Sequence, residues 1–194
     1  MALLVADFQQ VGSDIFLRGL SSSHGGNLSV RLGERLLITR RWAQLGHLTE
    51  QDIVETGVAR NDRGTPVASS ELAIHRAIYA STPAQAIVHA HPVYATSMSL
   101  LEDAIEPLDA QGRRDLGAIP VIGDTIIEDV RDVVDAVVEA LKSNRVVVVR
   151  GHGTFATGQL LHEAHGWTSL LEESCRLLVT TQLLRAARGD RASE

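Results

Sequence analysis

The segment Ala86-Ile87-Val88-His89-Ala90-His91-Pro92 constrains this chain more than any other. A short apolar run of this kind reads as a buried strand, and the proline ends it. Side chains alternate along a strand with a period of two, so His89 and His91 point to one face. Two satisfied core histidines are one explanation. Two imidazoles on one face at a strand end are also two-thirds of a metal triad, and that is the reading adopted. A second apolar run, Val146-Val147-Val148-Val149, leads into Arg150-Gly151-His152-Gly153. Glycines on both sides of His152 can simply shape a turn, or let backbone come close to a ligand. With the first pair in place, His152 is read as the third ligand. Three neutral imidazoles and an open fourth position suit a catalytic divalent metal.

The rest of the chain alternates helix-like and strand-like segments. Residues 1–19 place Leu3, Leu4, Phe8, Val11, Ile15 and Phe16 at helical spacing and end on Gly19. Leu28–Leu32 and Arg35–Thr39 alternate about Gly33-Glu34, which predicts a hairpin. Thr49-Glu50-Gln51-Asp52 forms a turn before a strand at Ile53-Val54. Ser69-Ser70-Glu71 opens a helix running to about Tyr79, with serine caps and an acidic first turn. After the strand 86–91 comes a helix from about Val93 to Leu100, and then a strand Ala118–Ile122. Glu128–Lys142 reads as one amphipathic helix, and 160–187 as one long helix after the His152 loop. The hairpin requires antiparallel pairing, so the expected architecture is a mixed sheet covered by helices, in one domain over 1–194.

Composition narrows the function classes. A net charge of −6 argues against nucleic acid or anionic membrane as partner. No apolar run approaches the roughly 20 residues of a membrane span, and the N-terminal apolar stretch lacks a basic segment and is broken by Asp7. A cytoplasmic protein is expected. Cys175, the one cysteine, sits in a helical pattern and reads as inert core.

Beside the histidines, Glu71 stands out. An acidic residue at a helix start is ordinary dipole chemistry, but Ser69 and Ser70 add two hydroxyls and the free N–H groups of a helix end, an anion site. A carboxylate there can act as a general base next to a polarised carbonyl. Gly25-Gly26-Asn27 is either a turn or a set of N–H groups and an amide offered to a phosphate. It lacks the strand-before, helix-after setting of a dinucleotide fingerprint or P-loop. His24, in the same loop, could touch a ligand. His47, His75, His162 and His165 have no partner spacing and read as solvated or capping residues.

Gly26-Asn27-Leu28-Ser29-Val30-Arg31, Leu37-Ile38-Thr39, Leu48-Thr49-Glu50-Gln51-Asp52, Ser69-Ser70-Glu71, His89-Ala90-His91 and His152-Gly153 together resemble the class II aldolase/adducin family, in order and spacing over nearly the whole chain. The resemblance implies a three-layer α/β/α sandwich with a central mixed, largely antiparallel sheet. It implies tetramers with active sites between subunits, and a small-molecule substrate, a sugar phosphate. It also implies a zinc-type site of His89, His91 and His152, with Glu71 as catalytic carboxylate and Asn27, Ser69 and Ser70 at the phosphate-binding positions. In such aldolases the metal stabilises the enediolate left by C–C cleavage.

Two departures from the family pattern stand out. A small hydroxyl residue and a glycine usually follow the Ile-Thr pair shortly after; here Arg41 and Trp42 take their places. Arginine could pair with a phosphate bidentately, while tryptophan fills the space a glycine leaves open. The family's aldolases also use a tyrosine from the middle segment as proton donor. Residues 105–117 contain no tyrosine and hold Arg113 and Arg114 instead. The leading expectation is a metal-dependent aldehyde-lyase acting on a ketose phosphate or related hydroxy-ketone. A sugar-phosphate epimerase or dehydratase would use the same metal site, and an adducin-like binding module would need none of it.

Overall fold

A computed structural model describes residues 2–189. Its centre is an eight-stranded sheet in the order β3-β2-β1-β4-β8-β7-β6-β5. In chain order the elements are α1 (Ala2–Leu17), β1 (Asn27–Leu32), β2 (Arg35–Thr39), β3 (Ile53–Gly57), α2 (Leu72–Ser81), β4 (Ala86–Ala90) and α3 (Val93–Ser99). There follow β5 (Ala104–Ile105), α4 (Ala110–Asp115), β6 (Ile119–Ile122), α5 (Val134–Leu141), β7 (Val146–Val149), β8 (Gly153–Gly158) and α6 (Leu161–Arg188). All the neighbouring pairs are antiparallel except β6 with β7. The three-layer arrangement and largely antiparallel sheet match the expectation.

Strand alternation sorts the core into two layers. Leu28, Leu37, Ala86, Val88, Val146, Val148 and Ala156 pack with α1, α3 and α6, through Phe8, Val11, Met98, Leu171 and Cys175. The intervening Leu36, Ile38, Ile87, Val147, Val149 and Phe155 pack with α2 and α5, through Ile74, Ile78, Val137 and Leu141. Because Ile87 belongs to the α2 side, period two puts His89 there as well. The hairpin, the Thr49–Asp52 turn and the Gly19 helix end form as expected: Asp52 accepts from the Thr49 N–H (2.9 Å), and Gly19 has φ +68°. Residue 1 of the expected first helix lies outside the described residues.

The structure departs from the expected elements in four places. Residues 128–142 are not one helix. Val130–Val133 form a 3-10 turn, and the α-helix starts at Val134. The Asp129 carboxylate accepts from the Arg131 N–H, and the Ile127 N–H is tied to the Arg150 carbonyl, which fastens the preceding residues to the turn before His152. The strand Gly153–Gly158 follows the His152 turn at once. Its apolar residues Phe155 and Ala156 are adjacent rather than alternating, because a central strand is buried on both faces. The short elements β5 and α4 carry no apolar period; α4 is set by Asp109, which caps it by accepting from the Gly112 N–H at 2.7 Å. Finally, the N-cap of α2 is Glu71 rather than a serine; Ser69 Oγ accepts from the Glu71 N–H at 3.2 Å.

Candidate metal centre

The end of β4 is where the chain's chemistry gathers. His89 lies opposite Asn27 of β1 on one side and Phe155 of β8 on the other, and its ring stacks on Phe155 at 4.2 Å between centroids. Its Nδ1 is 2.9 Å from the Thr154 carbonyl oxygen. A carbonyl can only accept, so Nδ1 carries the hydrogen and Nε2 is left with a free lone pair. His91 follows the strand, with its Nε2 2.9 Å from that of His89. His152 comes from the β7–β8 turn, and the possible ligand atoms of all three rings lie within 4.8 Å of one another. Tetrahedral coordination at zinc–nitrogen distances of about 2.0–2.1 Å needs nitrogens roughly 3.3 Å apart, so the cluster is of the right size. The donor set and the fixed tautomer of His89 fit a divalent metal.

The turn bearing His152 is fastened from below. Arg150, which the sequence did not single out, is 8% exposed. Its guanidinium donates to the Gly123 and Ser99 carbonyls and to Asp103, while the Gly151 N–H donates to Ser99 Oγ. On the other side, Gly26 has φ +76°, and a Cβ there would lie 2.6 Å from the His89 carbonyl oxygen. Only glycine permits that approach of loop to strand.

Glu71 closes the cluster. Its Oε2 is 3.1 Å from His89 Nε2 and its Oε1 3.1 Å from His152 Nε2. Oε2 also accepts from Asn27 Nδ2 at 2.6 Å. Burial alone would raise the Glu71 carboxyl; the neighbouring imidazoles and the Asn27 amide outweigh it and hold the group well below the usual carboxylate range. Burial, reinforced by His89 and His152, pushes His91 down to about 3, and burial lowers His89 as well. Neutral His89 and His91 are in the state a metal requires of its ligands.

These groups form the floor of a cleft of about 530 Å³. Ser69, Ser70, Arg41 and His24, each expected near a ligand, line it, as do Arg40, Trp42, Glu128 and Arg131. Trp42 takes the left-handed φ of +64° and is 77% exposed at the cleft mouth. Among the described residues, no acidic group pairs with Arg40 or Arg41. No tyrosine lines the cleft, and Arg113 and Arg114 are elsewhere, donating to the Pro107 carbonyl and to Asp115. Cys175 is buried, its thiol pushed up to about 12 by burial and Glu172.

Two of the histidines read as solvated or capping are buried instead. His165 is 8% exposed, and His75 is fully enclosed against Asn27 and Ser29. A signal for His75 was present: Glu71, His75 and Tyr79 recur every four residues, one face of a helix. Burial pushes His75 down to about 3, against an ordinary 6.5. The folded state thus keeps it neutral where the unfolded chain binds a proton, so stability is complete above pH 6.5 and declines as pH falls towards 3. At pH 5 this one residue should cost about 2 kcal/mol. Denaturant titrations of metal-free protein at pH 7 and 5 should show the decline, and His75→Gln should reduce its slope. An unchanged slope in the variant would remove His75 as its source.

Three imidazoles gathered beside a carboxylate, at the rim of an α/β/α sandwich, could hold a divalent metal of the kind that polarises carbonyl oxygens. The chain belongs to the class II aldolase/adducin family: residues 6–179 match the family described as Class II Aldolase and Adducin N-terminal domain. It is 32% identical over 186 residues to a 3-oxo-tetronate 4-phosphate decarboxylase of Haemophilus influenzae, covering 89% of this chain and 85% of that one. It is 31% identical over 169 residues to the L-fuculose phosphate aldolase of Escherichia coli, covering 84% and 76%. The crystal structure of L-fuculose-1-phosphate aldolase from Thermus thermophilus superposes with a TM-score of 0.89 at 37% identity, covering 96% and 98%. The family uses a divalent metal, and the histidine cluster can hold one. Among the described residues no helix is long and apolar enough to cross a membrane.

Proposed function

We propose that the chain is a metal-dependent aldehyde-lyase that cleaves a small ketose phosphate or related hydroxy-ketone, working as a cytoplasmic tetramer. The observation that carries this reading is the gathering of three imidazoles, two of which, His89 and His152, contact the Glu71 carboxylate. His89, His91 and His152 would hold the metal, taken here as zinc. When bound, it supplies Lewis-acid stabilisation of the negative charge that develops on the substrate oxygens as the C–C bond breaks. Glu71 would move the proton at the carbon beside the carbonyl, returning it after cleavage and removing it in condensation. Asn27, Ser69, Ser70 and Arg41 would bind the phosphate. Product analysis on short ketose phosphates tests the reading, since cleavage yields two carbonyl fragments, epimerisation one ketose, and dehydration releases water. Either of the latter outcomes alone would replace the lyase assignment.

Decarboxylation of a β-keto acid phosphate is a second reading, favoured by the Arg40 and Arg41 guanidiniums at the cleft, which pair with no acidic group among the described residues, and by the similarity to a 3-oxo-tetronate 4-phosphate decarboxylase. It breaks a C–C bond towards the same carbonyl fragment, but carbon dioxide leaves and no hydroxyl proton has to be taken. Release of carbon dioxide decides between them. In both readings Arg41→Ala should weaken use of phosphorylated substrates about 10- to 150-fold, the equivalent of a charge-assisted pair of about 1.5–3 kcal/mol. Inorganic phosphate should inhibit the unaltered protein competitively, and the variant much less. A preference for unphosphorylated substrate, insensitive to phosphate, would show that Arg41 and Trp42 close the pocket instead.

A further inference from the structure

Behind Glu71 runs a buried chain of hydrogen bonds on which the proposed reaction makes no direct call. Asn27 and Ser29 alternate along β1 and so share a face; His75 and Tyr79 are one helical turn apart on α2. Where the two faces meet, His75 Nε2 lies 2.5 Å from Asn27 Oδ1 and His75 Nδ1 lies 2.6 Å from Ser29 Oγ. Ser29 Oγ is in turn 2.7 Å from the Tyr79 hydroxyl. Ser29 and His75 are wholly buried and Tyr79 is 1% exposed.

The direction of every bond follows from one end. The Glu71 carboxylate can only accept, so Asn27 must present its NH2 and turn its carbonyl oxygen inward. That oxygen can only accept, so His75 carries its hydrogen on Nε2. Neutral His75 then accepts at Nδ1 from the Ser29 hydroxyl, which accepts from Tyr79. We propose that His75 is a positioning residue: anchored by Ser29 and Tyr79, it fixes the Asn27 amide so that its N–H, and never its oxygen, faces Glu71. Without the imidazole, a 180° flip of the amide would place two oxygens against each other and turn the carboxylate away from His89 and His152. The inference rests on Glu71 being the proton-transfer group of the proposed reaction.

The test compares His75→Leu, which removes both bonds, with His75→Gln, whose amide can supply a donor at the Nε2 position. Nuclear magnetic resonance of the zinc-loaded protein reads the Asn27 side-chain amide directly. Its hydrogens should exchange slowly with solvent in the unaltered protein and in His75→Gln, and about tenfold or more faster in His75→Leu. On a substrate the protein turns over, His75→Leu should lower kcat by about 10- to 100-fold, the usual size for residues supporting an active group. The zinc affinity, measured by chelator competition, should stay within about threefold, because no histidine of the triad is altered. His75→Gln should recover most of kcat. Tyr79→Phe, which keeps the packing, should show a smaller effect of the same kind. Equal protection of the Asn27 amide in His75→Leu would overturn the proposal. So would parallel losses of kcat in the Leu and Gln variants that track melting temperature, the mark of a merely structural residue. If the unaltered protein cleaves no substrate, the lyase reading fails by itself, and the amide measurement still decides the role of His75.

Discussion

His89→Ala is expected to abolish metal binding and turnover together while the chain stays folded. His89 is 1% exposed, and the Thr154 carbonyl pins its ring so that Nε2 faces the other two imidazoles. Two histidines cannot replace a three-ligand set at comparable affinity. The fold should survive, because two apolar layers hold the sheet without the metal, unlike a zinc finger. The truncation removes the ring's hydrogen bond to the Thr154 carbonyl and leaves a gap against Phe155, a loss of about 1–3 kcal/mol. His91→Ala should behave alike, with a smaller loss of stability. Metal content by atomic emission, beside circular dichroism and melting temperature, checks this. Metal at the unaltered stoichiometry in both variants would overturn the assignment of the triad.

Glu71→Gln should lower turnover by about two to four orders of magnitude, the usual contribution of general-base catalysis. Glutamine keeps the volume and can still hydrogen-bond to Asn27 and His152, but it cannot take up a proton as a carboxylate does. Three imidazoles remain, so metal content should be retained. Near-normal turnover in a metal-loaded Glu71→Gln protein would reduce Glu71 to the N-cap of α2. Loss of metal along with activity would make it a required ligand instead.

Several local features were legible because local chemistry fixes them. The turn residues of the β1–β2 hairpin, the capped turn at Thr49–Asp52 and the glycine after α1 all form as the residues direct. Legibility failed where a segment takes its conformation from its neighbours. Strand β8 lacks a period because both its faces and both its edges are covered, by β4 and β7 beside it and helices above and below. The expected helix over 128–142 starts late because the Arg150 carbonyl and the Asp129 carboxylate hold the chain ahead of it in another shape.

The same division runs through the site. From sequence alone came the shared face of His89 and His91, since the period of a strand is a property of the backbone. The glycine-flanked turn carrying His152 and the carboxylate at the start of α2 were also visible, along with the order of motifs by which the chain resembles its family. Only the tertiary structure brought residues 27, 71, 89 and 152 to one point, because the pairing of β1 and β8 on either side of β4 is a long-range choice. It alone turned His75 from a helix-surface residue into a buried one. A histidine four residues from an acid looks the same in sequence whether water or another strand lies over it. What lies over it is decided by β1, whose Asn27 and Ser29 meet it in the core.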